Sequence, residues 1–301
     1  MEKGKHNAHS FHLAGIIPVA DQPRDFNFPW QDSLMPIAPN YLAVENSVVE
    51  CATAGCETIW IVCHKDTQPL MRYRIGDWIE DPAFLGRMDK FPSESRREIP
   101  IYYVPIHPKD RDKRDCLGWS ALYGALSAYS ISKKISKWVI PDRFYISFPY
   151  GIIDHSIVRK FRRKISRDSN FYFSFDGKTI RDDQFLSFTF GGEDFKRFRR
   201  ELREEATTIY IKGTKEKLPI SERYSARYFS LDKVFKSAII DDTDTVVELD
   251  WFYNVGCWED YCNFLGSEHR KLIKRPKYMK YHEWNPIGYE EEEDGDTGDE
   301  I

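Results

Sequence analysis

The chain has 301 residues, 41% hydrophobic and 31% charged, with a formal net charge of −4. That apolar share can fill one large α/β core or two small ones, and no stretch nears the roughly 20 apolar residues that cross a bilayer, which excludes a spanning helix. Eight of the 48 acids fall between Glu290 and Ile301, so the remainder balances 44 bases against 40 acids. Residues 290–301 have too little apolar area to offset their ordering entropy and read as a disordered acidic tail. Residues 1–12, which include His6, His9 and His12, form a polar, flexible start without the apolar centre of a secretion signal. The six cysteines, at 51, 56, 63, 116, 257 and 262, show no C-x-x-C pairing and lie mostly in apolar segments. They read as buried thiols in a reducing compartment, so a cytoplasmic protein is expected.

In chain order, Leu13–Val19 has the length and β-branched content of a buried strand. A loop from Ala20 to Trp30 follows, rich in Pro and Asp and free of glycine. Tyr41–Ala54 carries Leu42, Val44, Val48, Val49 and Ala52 at helical spacing and stops at Gly55, as a helix C-terminus prefers. Thr58–Cys63 is a second buried strand, which completes a βαβ unit. Gln68–Trp78 reads as a helix, residues 77–98 as an irregular charged insertion and Ile99–Pro105 as a strand edged by prolines. His107–Asp115 is a polar loop leading to a helix from Leu117, whose small residues suit close packing on a sheet. Lys137–Ile140 reads as the next strand, which places Asp142 at a strand's carboxyl end, where open α/β sheets hold ligands. Aromatic strands are expected at 143–148, 170–175 and 185–190, helices at 154–166 and 193–205, and later strands at 207–212 and 246–250. The alternation in 171–175 and 185–190 suggests antiparallel strands appended to the main sheet. There is no internal repeat.

Two stretches carry a resemblance. AGIIPVA from Ala14, a loop, and LMPIAPNYLAVENSVVECATAGCETIWIVCHKD from Leu34 are similar to the opening of the sugar-phosphate nucleotidyltransferases, whose fold is shared with GT-A glycosyltransferases. Asp250–Tyr261 (DWFYNVGCWEDY) resembles that family's late W-x-D-x-G-T-x-x-x-Y element. The resemblance brackets residues 13–266, leaving 267–289 as a C-terminal extension. It implies a three-layer αβα, Rossmann-like mixed sheet and a reaction in which a nucleoside triphosphate and a sugar phosphate yield a nucleotide sugar and pyrophosphate.

Carried over position by position, the resemblance makes Asp142 the strand-end carboxylate that would hold magnesium, and Asn254 the counterpart of the late metal-binding aspartate. Arg24 would neutralise phosphate, and Arg24 and Asp142 would be the catalytic pair. Gly118 would make room for the base, and Lys109, Arg111, Lys113 and Arg114 could supply further cations to an anionic ligand, although the interleaved Asp110, Asp112 and Asp115 favour a solvated, self-paired loop. The chain departs from the pattern in several places. The first loop lacks glycine, Asp32 stands where the family has lysine, and Pro141 precedes Asp142 in place of glycine. Asn254 keeps an oxygen but loses the charge that magnesium favours, and Cys257 replaces threonine.

Two other readings stand beside this one. A GT-A-like glycosyltransferase would use a nucleotide sugar as donor, although no D-x-D adjoins Asp142. A catalytically silent relative would bind a nucleotide or a protein partner without turnover. The basic run Arg159–Lys164 with Arg167 could face a nucleic-acid backbone, but no reader motif accompanies it and a nucleic-acid partner is disfavoured. No Walker loop, G-x-S-x-G elbow or H-E-x-x-H occurs. A looser resemblance to phage-encoded proteins specifies no pathway.

Overall fold

Leu13–Pro18 forms β1, buried along its whole length, as the unbroken apolar run predicts. The computed structural model describes residues 11–279, apart from 25, 27, 86–96, 137–138, 207–208, 211–214 and 221–222. A short hairpin of β2 (Pro36–Ala38) and β3 (Tyr41–Leu42) leads into α1 (Ala43–Ala54), which ends at Gly55 with φ of 98°. β4 (Thr58–Cys63) returns parallel to β1 with Ile16 opposite Trp60, so the expected βαβ unit is present.

Gln68–Ile75 forms α2, but Trp78–Glu80 is a strand, β5, where sequence reading extended the helix. It pairs antiparallel with β6 (Glu98–Pro105), and Pro82–Leu85 makes the short α3 between them. Pro108–Arg114, expected as a loop, is the helix α4. His107 caps it by accepting the Lys109 backbone N–H, and Pro108 starts it with a fixed φ. The long helix α5 spans Leu117–Ile135.

The expected strand at 137–140 falls partly outside the described residues, and Val139 and Ile140 are not in a strand. The strand is instead β7 (Arg143–Ile146), parallel to β1 with Leu13 opposite Arg143. The chain continues through β8 (Gly151–Ile152), α6 (His155–Ile165), β9 (Phe171–Ser174), β10 (Phe188–Phe190) and α7 (Gly192–Ala206). It closes with α8 (Leu231–Phe235), β11 (Thr245–Glu248), β12 (Tyr253–Asn254) and α9 (Trp258–Gly266). Of the segment read as a strand at 207–212, Ile209 and Tyr210 are described, and Tyr210 forms an isolated bridge to Lys217.

Eight strands make one mixed sheet in the order β11-β9-β10-β7-β1-β4-β6-β5. Its centre, β7-β1-β4-β6, is parallel, and β10 and β5 join it antiparallel on either side. Alternation along β1 shows how the layers form. A Cβ at Gly15 would meet Cys51 Sγ of α1 at 2.9 Å, whereas the next side chain, Ile16, lies on the opposite face against Gly124 of α5. Helices α1 and α6 pack together on the first face, and α5 packs with α7 and α8 on the second. The result is the three-layer αβα arrangement with appended antiparallel strands.

Cys51, Cys56, Cys63 and Cys116 are buried thiols. Ile273 and Met279, in the C-terminal extension, are buried against the core. The start read as flexible and the tail read as disordered lie outside the described residues, except for Phe11 and His12, and His12 is buried.

Candidate functional site

The parallel strands β1 and β4 deliver their carboxyl ends to one edge of the sheet, and the chain that follows each builds a cleft. After β1, the N–H groups of Val19 and Ala20 both bond to Val62 O, and Ser120 Oγ donates to Ala20 O at 2.6 Å. The loop is thereby tied to β4 and α5 before it turns at Asp21. Two cavities meet there, of about 350 Å³ and about 680 Å³, and both are lined by Asp21, Gln22, Pro23, Arg24 and Arg227. Their sizes lie in the ordinary range of small-molecule sites.

Arg24 is the hub. Its guanidinium lies over the Tyr150 ring at 4.4 Å and the Phe185 ring at 4.8 Å, and its Nη2 donates to Asp21 at 2.8 Å. Cation–π contact on two rings fixes a cation without neutralising it. Its Nε is buried and has no hydrogen-bond partner among the described residues, and the same holds for Arg227 Nε. Two arginines bordering both cavities therefore carry unsatisfied donors, the condition an oxyanion relieves.

Asp32, which stands in the lysine position of the resembled family, accepts the Arg24 backbone N–H at 2.7 Å and is only 5% exposed. It shapes the loop. Burial raises its pKa above the ordinary carboxylate value, opposed by that bond and by the Arg24 charge. Asp21 is pushed up to about 6, chiefly by burial, with the Arg24 charge pulling the other way.

On the far side of Asp21 is a pair that sequence reading missed. His64, just past β4, has Nε2 2.8 Å from Asp115 Oδ1, and Gln22 Nε2 donates to Asp115 Oδ2 at 2.6 Å. Both members of the pair are buried at the wall of the larger cavity. They are 51 positions apart, so no local motif could reveal them. The visible signal was positional: a histidine closing a buried strand and an acid immediately before a helix.

The predicted site residues separate into groups. Arg24 and Asn254 come together: a Cβ at Gly256 would lie 3.4 Å from Arg24 Nη1 and 3.2 Å from Asn254 Oδ1. Arg111 lines the larger cavity and pairs with Asp66 at 3.3 Å. Lys109 is exposed on α4 and lines neither cavity. Gly118 starts α5 beside the cleft, but a Cβ there would meet Val234 Cγ2 at 2.6 Å. Its bareness serves the packing of α8 on α5, and the space expected for a base is filled.

Asp142 is the principal correction. It precedes β7, its carboxylate accepts the His12 N–H at 2.7 Å, and its own N–H bonds to His12 O. His12 precedes the parallel β1, so Asp142 sits at the amino edge of the sheet, with the cleft at the opposite edge. At the carboxyl end of β7 the chain reads Ser147-Phe148-Pro149-Tyr150, without a carboxylate.

Magnesium does not fit the residues gathered here. Asn254 Oδ1 is buried without a partner among the described residues, but it is neutral. Asp21 is committed to Arg24, and Asp183 to the Leu231 N–H at 2.7 Å. Among the described residues no group of three His, Cys, Asp or Glu is placed to hold a metal. What remains is an arginine-centred cleft with an imidazole–carboxylate pair on its wall.

No protein-family model and no curated protein matches the sequence. Solved structures do match by shape. A Bacillus anthracis protein assigned as a glucose-1-phosphate thymidylyltransferase, solved with sucrose, is 8% identical, with a TM-score of 0.52 over 90% of this chain and 99% of that one. Rv0371c of Mycobacterium tuberculosis H37Rv is 10% identical, with a TM-score of 0.48 over 85% of this chain and 99% of that one. The looser resemblance to phage proteins gains no support. No helix among the described residues is long and apolar enough to cross a membrane. The chain has a nucleotidyltransferase-like fold, a likeness of architecture at low identity.

Proposed function

We propose that the cleft binds a nucleoside triphosphate or a nucleotide sugar through its phosphates, with Arg24 and Arg227 as the anion-holding residues. The observation that carries this reading is the pair of arginines that line both cavities, Arg24 and Arg227, each with a guanidinium donor unpartnered among the described residues. A phosphate oxygen accepts from such donors, and water exclusion strengthens the contact. Support also comes from the position of the cleft, at the carboxyl edge of a parallel sheet in a nucleotidyltransferase-like fold.

Nucleotidyl transfer to a sugar phosphate would place growing negative charge beside the same arginines, of which Arg24 is held in place before the ligand arrives by two rings and Asp21. Among the described residues no carboxylate set for a metal is gathered to assist it. Glycosyl transfer from a nucleotide sugar is the second reading, favoured by His64 and Asp115. A phosphate nucleophile is already ionised near neutrality, whereas a hydroxyl acceptor needs a base, and a buried carboxylate that orients an imidazole suits that task.

Calorimetric titration with nucleoside triphosphates, nucleotide sugars and sugar phosphates tests the binding. Arg24→Met and Arg227→Met are each expected to weaken it at least tenfold, the scale of a lost charge-assisted bond. Equal affinity in wild type and both variants would overturn it. In parallel, pyrophosphate exchange reports nucleotidyl transfer. Glycosyl transfer lost in His64→Ala, with nucleotide affinity retained, would select the second reading.

A further inference from the structure

The glycine-free loop carries a run of aromatic rings that starts in the core at Phe26 and ends at the exposed Trp30. Phe26, Phe28 and Trp30 occupy every second position along it. The rings stack in series. Phe26 and Phe28 are 5.3 Å apart at 3°, and Phe28 and Trp30 are 5.3 Å apart at 14°. The ladder is braced from the side, because Tyr261 meets Phe26 edge-on at 87° and Trp258 meets Phe28 edge-on at 81°. It runs outward from the core: Phe26 is 6% exposed, whereas Trp30 is 49% exposed. Phe28 and Trp30 line the larger cavity together with Arg24, Arg111 and Arg227.

We propose that Trp30 is the base-stacking wall of the cleft, taking the nucleobase of a bound nucleotide as the next ring in the ladder. The proposal rests on the reading of the cleft as a phosphate-binding nucleotide site and names where the rest of that ligand lies. A nearly parallel aromatic stack that ends in a half-exposed indole offers one more planar ring the same favourable geometry. At Gly118, where the resemblance placed the base, Val234 fills the space. The base therefore needs another wall, and the ladder supplies it beside the same arginines. Stacking reads a π-face and makes no use of the base's edge, so purine and pyrimidine nucleotides would both be accepted.

The test compares nucleoside triphosphates with inorganic tripolyphosphate, which keeps the phosphates and lacks the base, by calorimetric titration of wild type, Trp30→Ala and Trp30→Phe. Trp30→Ala is expected to weaken nucleotide binding about tenfold, the scale of a lost base stack, with tripolyphosphate affinity unchanged and Trp30→Phe near wild type. Thermal melting of each variant checks that the fold is kept. Equal weakening of both ligands would make Trp30 a support for the loop and overturn the proposal, as would nucleotide binding unchanged in Trp30→Ala. Wild type that binds tripolyphosphate as tightly as nucleotide would leave the phosphate site standing and remove the base wall. Wild type that binds neither would remove both. A selective loss of sugar-phosphate binding in Trp30→Ala would assign the ring to a pyranose and overturn the base.

Discussion

Arg24 and Asp21 define the residue scale of this cleft. The guanidinium is held on one side by two rings and on another by a carboxylate that burial raises to about 6. Below that value Asp21 is mainly protonated and leaves the arginine charge free; above it the carboxylate competes with any incoming anion. Anion affinity is therefore expected to fall relative to Asp21→Asn as pH rises through 6. Inorganic pyrophosphate is a suitable probe if both proteins are titrated at each pH, because the ligand's own ionisation then cancels in the ratio. The ratio of dissociation constants, wild type over Asp21→Asn, should be near unity at pH 5 and several-fold at pH 7. A ratio that does not change with pH would mean that Asp21 orients Arg24 and does not contend for it.

At the scale of elements, the basic helix α6 shows what a charge run can conceal. Arg162 places both guanidinium ends on Asp81, at 3.0 and 2.7 Å, and also donates to Ala52 O and Thr53 O at the end of α1. A cation there satisfies helix-terminal carbonyls and clamps α6 to α1. Asp81 is 1% exposed, so losing its partner leaves a buried charge unpaired. Arg162→Gln is expected to destabilise the protein by on the order of 2–3 kcal/mol in chemical denaturation. Pairing it with Asp81→Asn should recover much of that loss, and a double variant as unstable as the sum would refute the clamp.

The same element shows the reach of sequence reading. The period of the apolar residues marks α6, and Gly55 and the strand runs mark other boundaries, because those signals are local. What a side chain meets across 81 positions, as Arg162 meets Asp81, leaves no local trace. The β1–α1–β4 unit and the aromatic strands were legible for the first reason, and the contact of His64 with Asp115 was hidden for the second. Asp142 was misplaced because Lys137–Ile140 has a strand's composition while the strand itself begins at Arg143, and that slip carries the residue from one edge of the sheet to the other.

At the scale of the whole molecule, the two edges of the sheet do different work, and this can be separated experimentally. β1 has six residues, so about 20 Å of strand divides the amino edge at His12 and Asp142 from the cleft beyond Pro18. At the amino edge, the reciprocal bonds between His12 and Asp142 tie the starts of β1 and β7, the sheet's central parallel pair. A bound ligand stabilises the folded chain by mass action, about 2.7 kcal/mol at a hundred times its dissociation constant, so thermal shift reports the carboxyl edge independently. Asp142→Ala is expected to lower the melting temperature by the equivalent of about 1 kcal/mol, the net worth of a hydrogen bond, while the further rise on adding a nucleoside triphosphate stays that of wild type. Arg24→Met should do the reverse, losing the ligand-induced rise. Were Asp142→Ala to abolish that rise with its fold intact, the aspartate would act at the ligand after all. The cleft at the carboxyl edge would then not be where the nucleotide binds.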